Sequence, residues 1–441
     1  MRLAAATLHR LSADVERPGY DRAAQANGIV HFGIGAFHRA HQAWYTDRAM
    51  DAGDRDWAIT GVSMRSASVA DQLNPQDGLY TVTERSGRGD ASRLIGAVRA
   101  VLVASRESAA VIDAIAAAST RIVSFTVTEK GYCRAADGSL DPEQAAAGSF
   151  YPLLAVSLRR RRDAGQPGLT LLSCDNLADN GRQLEALMEQ YLEQHDPALL
   201  DWFRAECACP STMVDRIVPA TTDADRAELA ARTGLDDHGA VFTEPFSQWV
   251  IEDRFAGPRP RWEAVGAQLV ADVRSYETAK LRMLNGAHSL LAYAGLARGH
   301  AFVHQAIADP QLLAQAQQLM LNEAAPTIAA AAGQNLADYT ATLIARFANP
   351  ALNHRLIQIA MDGSQKLPQR WLETLAANQQ TGRQCPAILA GIDAWIEHLR
   401  GANGQVDDPR AEELCEAATS PDCLERLLGH DGLLKSDWMP S

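Results

Sequence analysis

From about residue 27 to 265 the sequence repeats one texture: short apolar runs ending in Gly, Asn or Thr, separated by Ala-rich stretches of helical composition. "GIVHFGIG", "WAITGVSM", "TRIVSFTVTE" and "GLTLLSCDN" are such runs. A strand that is apolar along its whole length must be covered on both faces. Runs of this kind between helices therefore suit parallel strands with right-handed crossovers, which predicts a doubly wound α/β sheet. After about residue 272 the β-like runs stop, and segments such as "YETAKLRMLNGAHSLLAYAGLA", "LADYTATLIARFAN" and "AILAGIDAWIEHLRGA" carry helical composition instead. The break falls near "GPRPRWEAVGAQLVADV", whose Gly and Pro residues interrupt one pattern before the other begins.

At 441 residues the chain exceeds one ordinary core, in keeping with two domains. Its formal net charge of −13 argues against a nucleic-acid partner, which needs a surplus of Lys and Arg on some surface. The N-terminal stretch lacks the apolar length of a signal peptide, and no later segment approaches a membrane span. The seven cysteines are scattered and odd in number, and Cys207 and Cys209 form a C-x-C without a second pair at zinc-site spacing. The expectation is a cytoplasmic protein with reduced thiols, no metal and no membrane partner. Monomer and homo-oligomer both stay open.

The first apolar run leads into "FGIGAFHRAH", where Gly33 and Gly35 suit a dinucleotide turn. Gly33 would make the sharp bend, and Gly35 would let a pyrophosphate approach the start of the following helix. His38 stands where the third glycine of the usual fingerprint would be. The N-terminal part, residues 1–271, thus reads as a Rossmann-like dinucleotide-binding domain. Residues 272–441 read as a helical substrate-binding and catalytic domain. The second run should end in an acidic residue if it is to hold the ribose 2′-hydroxyl of NAD, but it continues Arg65-Ser66-Ala67. An arginine there could pair with the 2′-phosphate of NADP. NAD leads as cofactor, with NADP as the alternative.

"YETAKLRMLNGAHSLLAYAG" poses the chemical question. With each residue turned by about 100°, Glu277, Lys280, Asn285 and His288 fall inside one arc of about 140°. A buried helix seldom devotes a sector to such residues, because each needs a partner, and the stretch is too apolar to be largely exposed. The wall of a polar cleft suits it. A lysine among apolar residues loses preference for its charged form and can accept a proton near neutral pH. An asparagine amide can donate to an oxygen that gains negative charge. A histidine one turn away can hold a neighbouring hydroxyl, and Glu277 can pass the proton outward. This set would serve oxidation of a secondary alcohol by hydride transfer. The alternative is an ordinary core helix in which Lys280 reaches solvent, His288 is a satisfied core histidine and Asn285 caps a kink at Gly286.

The spacing K-x-R-x-L-N-x-x-H in "KLRMLNGAH" resembles the signature of the mannitol dehydrogenase family, the long-chain polyol-specific dehydrogenases that include fructuronate reductases. "GIGAFHRAH", "TVTEKGY", "LSCDNLADNG", "MVDRIVPATT", "EPFSQWVIED" and "MDGSQKLPQR" resemble further family motifs in the same order, from about residue 28 to 375. The resemblance implies Lys280 as general base. It implies Asn176 and Asn285 as an oxyanion hole, His288 on a substrate hydroxyl and Glu277 in a proton relay. Asp215 and Lys366 would be further substrate contacts, and Gly33, Gly35 and Phe37 the pyrophosphate turn; Arg65, read from the end of the second run, and Thr128 complete the expected cofactor set. Gln358 stands at a substrate position where mannitol dehydrogenases carry an arginine, a departure that weakens a strict mannitol assignment. No zinc is expected, since a lysine base replaces the metal.

"MDGSQKLPQRW" looks more like the fructuronate reductase branch, and Lys366, Arg370 and Arg282 could receive a carboxylate. D-mannonate and fructuronate are therefore the leading substrate pair, ahead of mannitol or arabinitol. A nicotinamide-binding sensor without turnover would keep the glycine turn but lose the base, whereas Lys280, Asn176 and Asn285 are all present.

Overall fold

The computed structural model describes residues 1–135 and 137–439. The chain divides into two compact units, Met1–Val273 and Arg274–Ser441. The strands of the first are β1 (Asn27–Phe32), β2 (Ala58–Ser63), β3 (Tyr80–Ser86), β4 (Gly89–Ile95), β5 (Val98–Val103) and β6 (Ile122–Phe125). They continue with β7 (Thr170–Ser173), β8 (Thr212–Asp215), β9 (Val241–Thr243), β10 (Gln248–Glu252) and β11 (Gln268–Val270).

Five of these strands form one all-parallel sheet in the order β5-β2-β1-β6-β7. The four apolar runs of the sequence supply β2, β1, β6 and β7. Both faces of the sheet are covered, as continuous apolarity demands. From β1, Ile29 enters the core that holds Trp44, Tyr45 and Trp249, while Val30 and Phe32 enter the core that holds Phe125, Tyr151 and Leu184. The strand order reverses between β1 and β6, so the crevice at their carboxyl ends is where a doubly wound sheet takes its ligand.

The apolar-run criterion overlooks two further sheets, β4-β3-β9 and β11-β10-β8. β3 and β4 pair antiparallel across a two-residue turn between Ser86 and Gly89. Their sequence, "YTVTERSGRGDASRLI", alternates rather than running apolar, because the hairpin is buried only in part.

The second unit is built on helices around one core. The helix Gly286–Ala297 packs against Pro386–Leu399, Leu356–Ala360, Val303–Ala308 and Pro310–Gln318. It is buried nearly all round, with Leu290, Leu291 and Tyr293 in the cluster that also holds Leu319, Trp371 and Trp395. A helix apolar on every side belongs in such a position. Glu323, fully buried, accepts the N–H groups of Ala387 and Ile388 at 2.8 and 2.9 Å and so caps the start of Pro386–Leu399. β structure among the described residues of this unit is confined to a pairing of Leu428–Gly429 with Leu434–Lys435 and a bridge from Phe302 to Arg355.

All seven cysteines are free thiols. Among the described residues no helix is long and apolar enough to cross a membrane, and no three His, Cys, Asp or Glu side chains are grouped as a metal site.

Candidate active site

At the carboxyl ends of β1, β2 and β6 lies a cleft of about 580 Å³, lined in part by Gly33, Gly35, Arg65, Thr126, Thr128 and Lys130. Its volume is that of a small-molecule site, and it sits at the reversal of strand order. Gly33 has φ +89°, and a Cβ there would stand 2.1 Å from the Thr126 carbonyl oxygen, so conformation and space both demand glycine. The Gly33 carbonyl accepts the Gly35 N–H at 2.6 Å and the Thr126 hydroxyl at 2.7 Å, which closes the turn. Gly35 differs. The nearest atom to a Cβ there would be the Gly33 oxygen at 3.8 Å, so the room beside Gly35 belongs to the cleft and not to protein.

The missing third glycine has a physical substitute. His38 lies fully buried with its ring stacked on that of His31 from β1, centroids 3.4 Å apart, so two flat rings provide the close contact between helix and strand. The first helix runs only over Ala36–Ala40, breaks at His41 and resumes over Gln42–Asp51. Phe37 stacks on His41 at 5.0 Å and is not among the residues lining the cleft. Arg65 lies exposed just past β2. The cleft-lining residues among those described include no carboxylate, and Arg65 and Lys130 are both cations. A glycine turn, open room beside Gly35 and a crevice at the strand-order reversal fit a dinucleotide.

Asn176 is exposed, past the end of β7, and Asp215 is buried as the last residue of β8. Asp175, next to Asn176 in sequence, is of a residue type that often caps a following helix. The next helix, however, starts only at Asn180, with Asp179 at its cap position. Asp175 instead accepts from Val127 N–H at 3.0 Å, Thr128 N–H at 2.9 Å and the Tyr132 hydroxyl at 2.8 Å. Sequence reasoning missed this role, because the partners lie more than forty residues earlier in the chain.

In the second unit, uniform α-helical geometry fails at the lysine itself. Arg274–Ala279 is α-helical, Lys280–Asn285 is a π-helical turn, and Gly286–Ala297 is α-helical again. The Gly286 N–H reaches back to the Leu281 carbonyl, five residues earlier. The wheel drawn at a constant angle is corrected accordingly. One extra residue in the turn rotates everything beyond it back by roughly 100°, so Asn285 and His288 come to within about 40° of Lys280. The π-turn aligns the three residues more closely than an α-helix could.

Lys280, Glu277 and Asn285 are half-buried and His288 is buried. The His288 ring lies 4.6 Å from Phe347 and 5.5 Å from His354, and its Nε2 has no hydrogen-bond partner among the described residues. Burial, aided by the nearby His354, Arg346 and Arg370, holds its pKa well below the usual imidazole value, so the ring is neutral near pH 7.

Two family models match the chain, described as the mannitol dehydrogenase Rossmann domain over residues 27–264 and the mannitol dehydrogenase C-terminal domain over residues 272–427. The chain belongs to the mannitol dehydrogenase family. It is an oxidoreductase of that family. A relative named "uncharacterized oxidoreductase YeiQ" from Escherichia coli is 41% identical, covering 94% of this chain and 88% of its own. D-mannonate oxidoreductase of Escherichia coli is 39% identical, covering 96% and 92%. The structure of Pseudomonas fluorescens mannitol 2-dehydrogenase in ternary complex with NAD and D-mannitol is 37% identical, with TM-score 0.83 over 95% of this chain and 89% of that one.

The three cations put forward for a carboxylate in this member of the mannitol dehydrogenase family have distinct surroundings. Arg282 donates to the Thr327 hydroxyl at 2.8 Å and pairs with Glu373 at 3.2 Å. Arg370 donates to the Ser289 hydroxyl at 2.9 Å, and burial lowers its pKa to about 10. Lys366 donates to the Met361 carbonyl at 2.6 Å and stands 3.7 Å from Asp362. An ammonium has three donors and Lys366 spends one of them on Met361, so it keeps donor capacity to spare. Gln358 is exposed on Leu356–Ala360 and lines a cavity of about 460 Å³ together with Met361, His398 and Asp407. Met361 thus touches the surroundings of both Gln358 and Lys366.

Proposed function

We propose that this protein interconverts a sugar alcohol or aldonate with its ketose by hydride exchange with NAD or NADP, using Lys280 as general base. The alignment of Lys280, Asn285 and the unpartnered His288 Nε2 by one π-turn carries this reading. When bound, the nicotinamide supplies the hydride acceptor or donor. Lys280 takes the proton of the reacting hydroxyl, and Glu277 passes it outward. The amides of Asn285 and Asn176 donate to the oxygen that gains charge, and the neutral His288 holds an adjacent hydroxyl. Asp215, Gln358 and Lys366 contact the remainder of the sugar. Gly33, Gly35, Phe37, Arg65 and Thr128 serve the cofactor.

D-mannonate and fructuronate form the leading substrate pair. The similarity to D-mannonate oxidoreductase over nearly the whole of both chains supports it, and so does the spare donor capacity of Lys366 for a carboxylate. Mannitol and fructose are the second reading, supported by the likeness to mannitol 2-dehydrogenase. The test is reduction of fructuronate, tagaturonate, fructose and xylulose with NADH and with NADPH. Fructuronate is expected to give the highest kcat/KM, and inactivity with all four would refute the reading. Lys280→Ala should abolish turnover while cofactor binding survives. Persisting activity would remove Lys280 as the base.

A further inference from the structure

Asp175 joins the end of β7 to the segment that follows β6. Its Oδ1 accepts the Thr128 N–H at 2.9 Å, and its Oδ2 accepts both the Val127 N–H at 3.0 Å and the Tyr132 hydroxyl at 2.8 Å. These partners bracket one helical turn, Thr128–Gly131. Val127, Thr128, Lys130, Gly131 and Cys133 of this segment line the cleft that fits the dinucleotide. Each end of the segment is bent through an unfavourable conformation, with Thr128 at φ +65° and Cys133 at φ +53°. A β-branched residue such as threonine rarely adopts a left-handed backbone unless its surroundings impose it. The Tyr132 hydroxyl also lies 2.6 Å from the Ser173 hydroxyl, which anchors the far end to the last residue of β7.

We propose that Asp175 is a positioning residue that clamps the Val127–Cys133 segment in the shape required to bind the cofactor. The proposal rests on the dehydrogenase reading only in taking a nicotinamide dinucleotide as the ligand of this cleft. The clamp requires a carboxylate specifically. An amide would turn its own N–H toward Thr128 N–H in one orientation and toward Val127 N–H in the other, and two donors facing each other repel. Asp175 is buried, so water has little access to replace its oxygens as acceptors for Val127 and Thr128.

The test is titration of the full-length protein with NADH and NADPH, followed by cofactor fluorescence, for the parent, Asp175→Asn, Thr128→Gly and the double variant, with thermal unfolding of each. Loss of a charge-assisted pair of bonds should raise the cofactor Kd of Asp175→Asn by about tenfold. Glycine accepts a positive φ without a clamp. The ratio of Kd between the double variant and Thr128→Gly should therefore be clearly smaller than that between Asp175→Asn and the parent. A structural role elsewhere would lower the unfolding temperature but leave the two ratios equal. Unchanged affinity in Asp175→Asn, or equal ratios, would overturn the proposal. Should Asp175→Asn fail to fold, Tyr132→Phe removes only the far donor and should still raise Kd by roughly threefold, and unchanged affinity there would overturn the proposal too. Failure of the parent to bind either cofactor would instead strike the dehydrogenase reading itself.

Discussion

The indole N–H of Trp371 donates to the carbonyl of Gly286 at 3.1 Å, at the junction where the π-turn of Lys280–Asn285 passes into α-helix. Trp371 is fully buried, and a Cβ on Gly391 would stand 2.9 Å from its ring, so the indole has little freedom to move. The neighbouring Arg370 grips Ser289, one turn further along. Trp371→Phe keeps most of the ring and removes the donor. A hydrogen bond of this kind contributes about 1 kcal/mol, so kcat should fall roughly fivefold. Cofactor Kd should stay at the parental value, because the cleft belongs to the other unit. Steady-state kinetics combined with a cofactor titration separates the two. A change in Kd with constant kcat would show that the indole does not register the lysine turn.

Arg65 should discriminate between the two cofactors. It is exposed at the end of β2, on a cleft whose described lining offers no carboxylate for a ribose 2′-hydroxyl. A guanidinium pairs strongly with a phosphate and only weakly with a hydroxyl. Arg65→Ala should therefore lower kcat/KM with NADPH roughly tenfold more than with NADH. Equal effects on both cofactors would place Arg65 away from the 2′-position.

Buried histidines set the acid limit of stability in the N-terminal unit. Burial pushes the His31 pKa down to about 3 and holds that of His38 well below the usual imidazole value. Once unfolded, each titrates near about 6.5 and takes up a proton that the native state refuses. Stability from these two groups is therefore complete above about pH 6.5 and lost as the pH falls below it. The slope approaches about 1.4 kcal/mol per pH unit for each. Urea unfolding at pH 7 and pH 5.5 should show this loss, and His38→Gln should roughly halve the slope. An unaltered slope in that variant would mean that His38 takes up its proton in the native state as readily as in the unfolded chain.

The parallel sheet was legible in the sequence because β1, β2, β6 and β7 are buried on both faces and therefore read as apolar runs. The β3–β4 hairpin was not, since Tyr80 and Val82 alternate with Thr81 and Thr83 and then give way to the half-buried Glu84 and Arg85, so no continuous apolar run marks the strand. Lys280, Asn285 and His288 stood out as polar residues in an apolar stretch. Their alignment did not, because a π-turn has no period that residue spacing reveals. It depends on groups such as Trp371 that approach from elsewhere in the chain. Asp175 shows the same limit. An aspartate just after a strand suits a helix cap on residue type alone, and only tertiary contact with Val127, Thr128 and Tyr132 reveals a clamp.

The two glycines of the cofactor turn should fail in different ways when replaced. At Gly33 a methyl group would meet the Thr126 carbonyl oxygen at 2.1 Å on a backbone with φ +89°, so alanine must distort both the turn and the adjoining end of β6. The left-handed conformation alone costs roughly 1–2 kcal/mol for alanine, and the clash adds to it. Gly33→Ala should lower the unfolding temperature and weaken cofactor binding together. At Gly35 the φ of −79° suits any residue, and the nearest protein atom to a methyl group would be 3.8 Å away. Gly35→Ala should therefore leave the unfolding temperature unchanged, yet place a methyl group in the space left for the pyrophosphate and raise cofactor Kd by about tenfold or more. Thermal unfolding alongside NADH titration tells the two apart. Parental cofactor affinity in Gly35→Ala would show that the ligand does not approach the turn at this glycine.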